Sequence, residues 1–343
     1  MIRILVIGHG LIGKQRARAI DALSRDERIT ALGGVRLAGT VDPQPRPADS
    51  YGGAPHFGSL DEVDPSSFDA AVIAIPHHLI ADVATRVLGQ RKPALLEKPL
   101  GLNLAEAERI AALAATTEKT CYVGYSFRFL PTLRMAFARV AEGYLGKLRS
   151  VDLIFAHGGH PKSGNEWKLK PEAAGGGVLI DPGVHVLDLA LCFVPGARVH
   201  AAAGSTGFWK TGIEEDVHVL LTHDDTVISV RSSVIRWANT FRVDVVGEDG
   251  YAMIDGRGGT YGNHTLRFGK RWAWADGRGV SQRASEEVFD LGTESRYLEE
   301  ETRAVVEAWL TGEPERSFPH PASIAEALAV ARLCEDTYAL LRR

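Results

Sequence analysis

Cysteine is scarce in this sequence, with three in 343 residues. Cys121, Cys192 and Cys334 are far apart and odd in number, which fits neither a disulfide framework nor zinc spacing and fits a reducing compartment. Long apolar runs are also missing. No stretch approaches the roughly 20 apolar residues of a membrane span, and the first run, Ile2 to Ile7, is too short for the apolar core of a secretion signal. The expectation is a cytoplasmic protein without a membrane partner. Nor is there an excess of one charge. The net charge is −4, and residues 1–122 hold fourteen basic against fourteen acidic residues, so no hidden basic module points to nucleic acid. What is present is 45% hydrophobic and 24% charged residues, the composition of a globular chain able to bury a large core. Its length suits two domains.

Residues 2–7 read as a buried strand ending at Gly8, followed by a helix from about 13 to 24. A second strand at 36–41 is closed by Asp42 and Pro43. Further short apolar runs lie at 69–75, 93–97 and 121–125, separated by helical patterns at 78–90 and 103–117. Short apolar runs alternating with helices predict βα units and a parallel sheet covered on both faces. After a helix at 131–143 the texture changes. Residues 150–156, 199–206, 216–223, 226–235, 240–247 and 251–255 alternate with period two, and Asp224-Asp225 and Glu248-Asp249-Gly250 sit between them as hairpin turns. The tail, 322–341, predicts an amphipathic helix with Ile324, Leu328, Ala331 and Cys334 or Glu335 at three-to-four spacing.

Gly8-His9-Gly10-Leu11-Ile12-Gly13 is a GxGxxG sequence lying between the first strand and the first helix, the context that a dinucleotide site requires. Gly8 permits the tight turn, Gly10 lets backbone approach a pyrophosphate, and Gly13 lets helix and strand pack closely. The helix N-terminus offers its free N–H groups to the anion. Asp42 closes the second strand, where a carboxylate would hold the ribose hydroxyls, 29 residues after Gly13. That is later than the usual ~20, and residues 25–34 read as a lengthened connection that absorbs the difference. The other reading is that Asp42-Pro43 merely starts a turn. Asp42 favours NAD, because its charge would repel a 2′-phosphate; Arg46 nearby keeps NADP open.

Glu97-Lys98-Pro99 ends the strand at 93–97, which places Lys98 at the sheet edge where open α/β sheets bind ligands. Gly175-Gly176-Gly177 leads into Asp181-Pro182-Gly183-Val184-His185-Val186-Leu187-Asp188. Four-residue spacing would put Asp181 and His185 on one face of a helix. Trp167 and Lys168 suit a polyhydroxylated ring, with an aromatic face for C–H groups and an ammonium for oxygens, or are surface loop residues. His157 and His160 lie close by in sequence.

These segments resemble the glucose–fructose oxidoreductase / inositol dehydrogenase / MocA-type (Gfo/Idh/MocA) family over nearly the whole chain. The resemblance includes Ile75-Pro76-His77-His78 and Tyr125-Ser126-Phe127-Arg128-Phe129. The family often has Thr where this chain has Ile75 and a second His where it has Ile80. The resemblance implies a Rossmann-type α/β domain over 1–122, an α+β domain with a large, mainly antiparallel open sheet over 123–321, and a helix at 322–343 packed back on the first. It implies an NAD(P)-dependent enzyme moving a hydride between nicotinamide and a secondary carbinol of a sugar, cyclitol or derivative. His185 would be the base, since an imidazole titrates near pH 6.5. Asp181 would bond the substrate hydroxyl or orient His185, and Lys98 would favour the alkoxide and help place the nicotinamide. In related enzymes the Lys98–Pro99 bond is often cis. Implied cofactor contacts are Gly8, His9, Gly10, Leu11, Ile12, Gly13, Asp42, Ile75, Pro76, His78, Glu97 and Lys98. Implied substrate contacts are Lys98, Arg128, Trp167, Lys168, Asp181 and His185. The family also implies a homodimer or homotetramer formed through the large sheet, and Arg271-Trp272-Ala273-Trp274 would suit such a face.

Plainer readings stand beside these. Asp181 could cap a helix whose first residue is Pro182, His185 could be a core histidine, and Lys98 could be a partner of Glu97. Asp188 could be structural or could support its neighbours. His77, His78, His157 and His160 have no carboxylate or cysteine nearby to complete a ligand set, so no metal is expected. Two other functions share the scaffold: a redox-neutral NAD-dependent glycosidase and a dinucleotide-binding sensor.

Overall fold

The computed structural model describes residues 1–45, 50–159, 166–271, 273–275, 280–282, 286–312 and 318–342. Arg46, His160 and Trp272 lie outside them. In chain order the first elements are β1 (Ile2–Ile7), α1 (Leu11–Leu23), α2 (Glu27–Ala31), β2 (Val35–Val41), β3 (His56–Phe57) and β4 (Ala70–Ile73). Then come α3 (His77–Leu88), β5 (Ala94–Glu97), α4 (Leu104–Ala114), β6 (Tyr122–Gly124) and α5 (Pro131–Ala141). The middle of the chain carries β7 (Leu148–Ala156), α6 (Pro171–Ala174), α7 (Val184–Phe193), β8 (Arg198–Ser205), β9 (Asp216–His223) and β10 (Thr226–Ser233). It continues with β11 (Thr240–Gly247), β12 (Gly250–Asp255), β13 (Thr265–Lys270), β14 (Ala273–Ala275), β15 (Val280–Gln282) and β16 (Glu287–Asp290). The last elements are α8 (Tyr297–Thr311), β17 (Ala322–Ser323) and α9 (Ile324–Leu341).

The chain divides into two compact units: Met1–Phe129 with Glu172–Gly175 and Arg296–Arg332, and Leu130–Pro171 with Gly176–Ser295 and Leu333–Arg343. The first unit holds a seven-stranded sheet in the order β17-β6-β5-β4-β1-β2-β3. It is parallel except for β17, which pairs antiparallel with β6. Strand β1 lies between β2 and β4 and buries every residue but Arg3, which is why it reads as an unbroken apolar run. The lengthened connection after α1 folds as α2 and closes on Gly33 and Gly34, both at positive φ.

Residues 296–321, left in the second domain by the sequence pattern, cluster with the first unit. The cause is α8, whose buried Val305, Val306, Ala308 and Trp309 pack it against α1 and into the core of Ile4, Val6 and Ile20. The tail helix also differs in detail. Its buried stripe runs through Ala327, Val330, Cys334 and Thr337, while Leu328 and Ala331 are only half-buried.

The second unit holds an eight-stranded sheet in the order β16-β13-β12-β11-β7-β10-β9-β8. Only the β7–β10 pairing is parallel. The β9–β10 hairpin closes at Asp224-Asp225, with Asp224 in the left-handed region at φ 48°. Alternate residues of β9, β10 and β11 (Val217, Val219, Ile228, Val230, Phe241 and Val243 among them) are buried, and α7 packs on β7 and β10. Contrary to expectation, the stretch Pro171–Phe193 is long and apolar enough to cross a membrane by length and composition. Of its apolar window 72% is buried inside the protein, so its apolarity serves the core.

Candidate functional site

The first candidate site is the turn between β1 and α1. Gly8 has φ +92°, and a Cβ there would lie 2.1 Å from the Ala74 carbonyl oxygen and 2.8 Å from the Ile75 side chain. A Cβ on Gly13 would lie 1.9 Å from the carbonyl oxygen of Gly8. Gly8 is therefore forced by packing against the residues that follow β4, and Gly13 by the close approach of Gly8 within the turn. Gly10 is different, because a Cβ there meets nothing within 4 Å. The protein itself does not demand that glycine. Open space lies in front of it, and no side chain caps the N-terminus of α1. Backbone N–H groups facing room for a ligand fit a pyrophosphate.

Asp42 braces this turn. Its Oδ2 accepts the His9 N–H at 2.6 Å and its Oδ1 accepts the Gln44 N–H at 2.9 Å. It thus starts a turn and also stands beside the glycine loop. His9 Nε2 is 2.9 Å from the Tyr51 hydroxyl. Ile75 packs on Gly8 and Pro76 leads into α3. His78 is exposed, while His77 is buried with its Nδ1 3.0 Å from the Ala174 carbonyl oxygen.

Lys98 follows β5 at the carboxyl end of the parallel sheet, and the Lys98–Pro99 bond is cis. The Glu97 carboxylate, expected to touch the cofactor, accepts from Arg16 Nε at 2.9 Å. Arg16 is fully buried on α1 and also donates to Glu301 at 2.5 Å, Thr302 at 2.9 Å and the Leu298 carbonyl at 3.2 Å. Its charge is satisfied on every side, which makes its burial tolerable, and the network ties the Glu-Lys-Pro turn to α1 and α8. Burial pushes the Glu301 carboxyl up to about 7 against the pull of Arg16. Arg128, expected at the substrate, is 1% exposed and donates to Glu326 of α9 at 2.9 Å, a structural link within the first unit.

The second candidate site is a cavity of about 460 Å³ inside the second unit. Asp181 lines it, but not from a helical face. Asp181 is extended (φ −143°, ψ 101°), the bond to Pro182 is cis, and α7 begins only at Val184. The one-face geometry expected for Asp181 and His185 is therefore broken, and Asp181 is not the helix cap. Gly183 precedes α7 without a side-chain cap. His185 is 7% exposed on the first turn of α7 and is not among the described residues lining the cavity; Asp188 is buried.

Lys168 does line it, and its Nζ donates to Asp181 Oδ2 at 2.5 Å. The Trp167 ring lies 5.6 Å from that ammonium. His157, on the segment leaving β7, shares the cavity. Burial holds its imidazole below the ordinary value; Asp181 opposes this, and Arg257 and Lys168 add to it.

The glycine run before Asp181 has a packing cause that the sequence alone does not reveal. A Cβ on Gly176 would lie 1.9 Å from the Tyr338 hydroxyl, and one on Gly177 would lie 2.1 Å from the Glu214 carbonyl oxygen. Glu214 Oε1 accepts the N–H groups of Gly177 at 2.8 Å and Leu179 at 3.2 Å, and the Tyr338 hydroxyl at 2.6 Å. Glu215 accepts the N–H groups of Phe208 at 2.7 Å and Trp209 at 2.6 Å. Neither glutamate stands out in the sequence, because nothing local reveals its long-range donors. Among the described residues no group of three or more His, Cys, Asp or Glu is placed to hold a metal ion.

Two family models match the chain in order. One, described as the oxidoreductase family, NAD-binding Rossmann fold, covers residues 2–125; the other, the GFO/IDH/MocA C-terminal domain, covers residues 133–253. The rhizopine catabolism protein MocA of Rhizobium meliloti is 28% identical over 194 residues, 54% of this chain and 55% of that protein. The dTDP-3,4-didehydro-2,6-dideoxy-alpha-D-glucose 3-reductase of Actinomadura kijaniata is 30% identical over 194 residues, 56% of each. The matches thus span just over half the length of these two relatives. Levoglucosan dehydrogenase, solved with NADH and levoglucosan, shares the fold with a TM-score of 0.84 at 18% identity, over 99% of this chain and 97% of that one.

Proposed function

The chain belongs to the GFO/IDH/MocA oxidoreductase family, with an NAD-binding Rossmann domain, and on that premise we propose that it transfers a hydride between NAD and a secondary carbinol of a sugar, cyclitol or sugar derivative. The observation that carries this reading is a cavity walled by Asp181, Lys168 and His157 on a chain that also bears a dinucleotide turn opening onto free space at Gly10. A cavity of that size with a few convergent polar groups suits a small polar ligand. Relatives named for acting on levoglucosan and on a nucleotide-linked deoxyglucose support the sugar class.

Bound NAD supplies the hydride acceptor. On the family resemblance, His185 is proposed to take the hydroxyl proton of the carbinol. The Lys98 ammonium favours the developing alkoxide. Asp181, held by Lys168, accepts from the substrate hydroxyl. Asp42 disfavours a 2′-phosphate, which is why NAD rather than NADP is proposed.

Lys98→Ala and His185→Ala test the assignment. Each is expected to lower kcat by about 100-fold or more while NAD still binds. Undiminished turnover in either variant removes that residue from the mechanism.

A further inference from the structure

We propose that the substrate carries an oxyanion, a phosphate or carboxylate on the sugar, and that Arg257 recognises it. This rests on reading the cavity of the second unit as the substrate site. Three basic side chains line that cavity: His157, Lys168 and Arg257. The carboxylates that share it are engaged with donors of the protein. Asp181 accepts from Lys168, Glu214 from two N–H groups and Tyr338, and Glu215 from two N–H groups.

Arg257 follows β12 in a tightly packed loop. It sits between Gly256 (φ +76°) and Gly258 (φ +85°). A Cβ on Gly256 would lie 1.9 Å from the Asn263 carbonyl oxygen, and one on Gly258 would lie 2.4 Å from that of Thr293. The Gly256 N–H donates to the Phe241 carbonyl and the Gly258 N–H to the Gly262 carbonyl, both at 2.9 Å. Only glycine fits on either side, so the loop is pinned around one long side chain. The guanidinium carbon lies 4.2 Å from the Tyr261 ring centre and 4.9 Å from that of Phe155. Such ring contacts restrict a guanidinium; recognition of an oxyanion uses its in-plane N–H fork. A neutral hydroxyl needs only a single donor, whereas a fork held in one orientation matches the two oxygens of a phosphate or carboxylate. Holding it in advance removes the ordering cost that a free arginine would incur on binding.

The test is calorimetric titration of the NAD-loaded protein with a hexose, its 6-phosphate and its uronate, using wild type, Arg257→Gln and Arg257→Lys. The expected result is at least about tenfold tighter binding of one anionic form than of the neutral hexose, about 1.4 kcal/mol. Arg257→Gln should erase that preference and Arg257→Lys should restore part of it. Preference for the phosphate over the uronate, or the reverse, identifies the oxyanion. Equal or tighter binding of the neutral hexose by wild type overturns the proposal, as does full preference retained in Arg257→Gln. Should the variants fail to fold, inorganic phosphate added to wild type decides: competition with the anionic sugar is expected, and none would overturn it. Binding is read without turnover, so an Arg257-dependent anion site in a protein that never reduces NAD refutes hydride transfer alone.

Discussion

The Tyr338 hydroxyl donates to Glu214 Oε1 at 2.6 Å, and the same oxygen accepts the N–H groups of Gly177 and Leu179. The end of α9 is thereby fixed to the loop that delivers Asp181 into the cavity. A hydrogen bond to a charged acceptor contributes about 1.5–3 kcal/mol. Tyr338→Phe should lose that much in denaturant unfolding and lower kcat/KM by loosening the loop. Glu214→Ala should cost more, because it strands three buried donors, while Glu214→Gln recovers part. Unchanged stability and activity in Tyr338→Phe would show that the contact does not hold the loop.

The glycine turn separates folding from binding. Gly13→Ala drives a Cβ into the Gly8 carbonyl and should destabilise the first unit by about 1–3 kcal/mol, the usual cost of overpacking. Gly10→Val projects into open space, so its melting temperature should stay near wild type while NAD affinity falls at least about tenfold. Equal NAD affinity in Gly10→Val would contradict the pyrophosphate assignment.

His157 gives a pH dependence whose sign follows from its environment. Burial, with help from Arg257 and Lys168, holds it below the ordinary 6.5. As pH falls through about 6.5 the unfolded chain binds the proton first, so stability is full above that pH and declines below it, toward the lowered native value. His157→Gln should flatten this decline. An identical profile in the variant would show that other groups set it.

Asp42→Ala removes the carboxylate proposed to repel a 2′-phosphate. The ratio of NAD to NADP affinity should fall by about tenfold or more, measured by titration of both cofactors. A preference that does not move would place ribose recognition elsewhere.

Much of the architecture is legible because burial on both faces leaves β1, β4 and β5 as short apolar runs, and the hairpins of the second sheet alternate cleanly around Asp224-Asp225. The regions missed have physical causes. Strand β13 alternates Leu266 and Phe268 with Thr265 and Arg267, but its partner β16 is largely exposed and gives no matching signal. Helix α8 opens with Glu299, Glu300 and Glu301, which resembles a solvated face. Glu301 is instead buried on Arg16, a partner 285 residues away. The Asp181 region misled for a related reason. Spacing predicts a continuous helix, yet Asp181 is extended, and Glu214 and Ser232 from distant segments bind the backbone of Gly177, Val178 and Leu179 just before it. Arg257 was silent in sequence because its meaning depends on the two rings it meets in space.

The central claim is net hydride transfer. It is tested most directly by following reduced-nicotinamide absorbance while the protein is incubated with NAD and a panel of sugars, cyclitols, sugar phosphates, uronates and nucleotide sugars. A rise with at least one polyol, lost in Lys98→Ala, is the predicted result. A protein that binds NAD yet gives no rise with any of them, while cleaving a glycosidic bond at constant NAD, would contradict it.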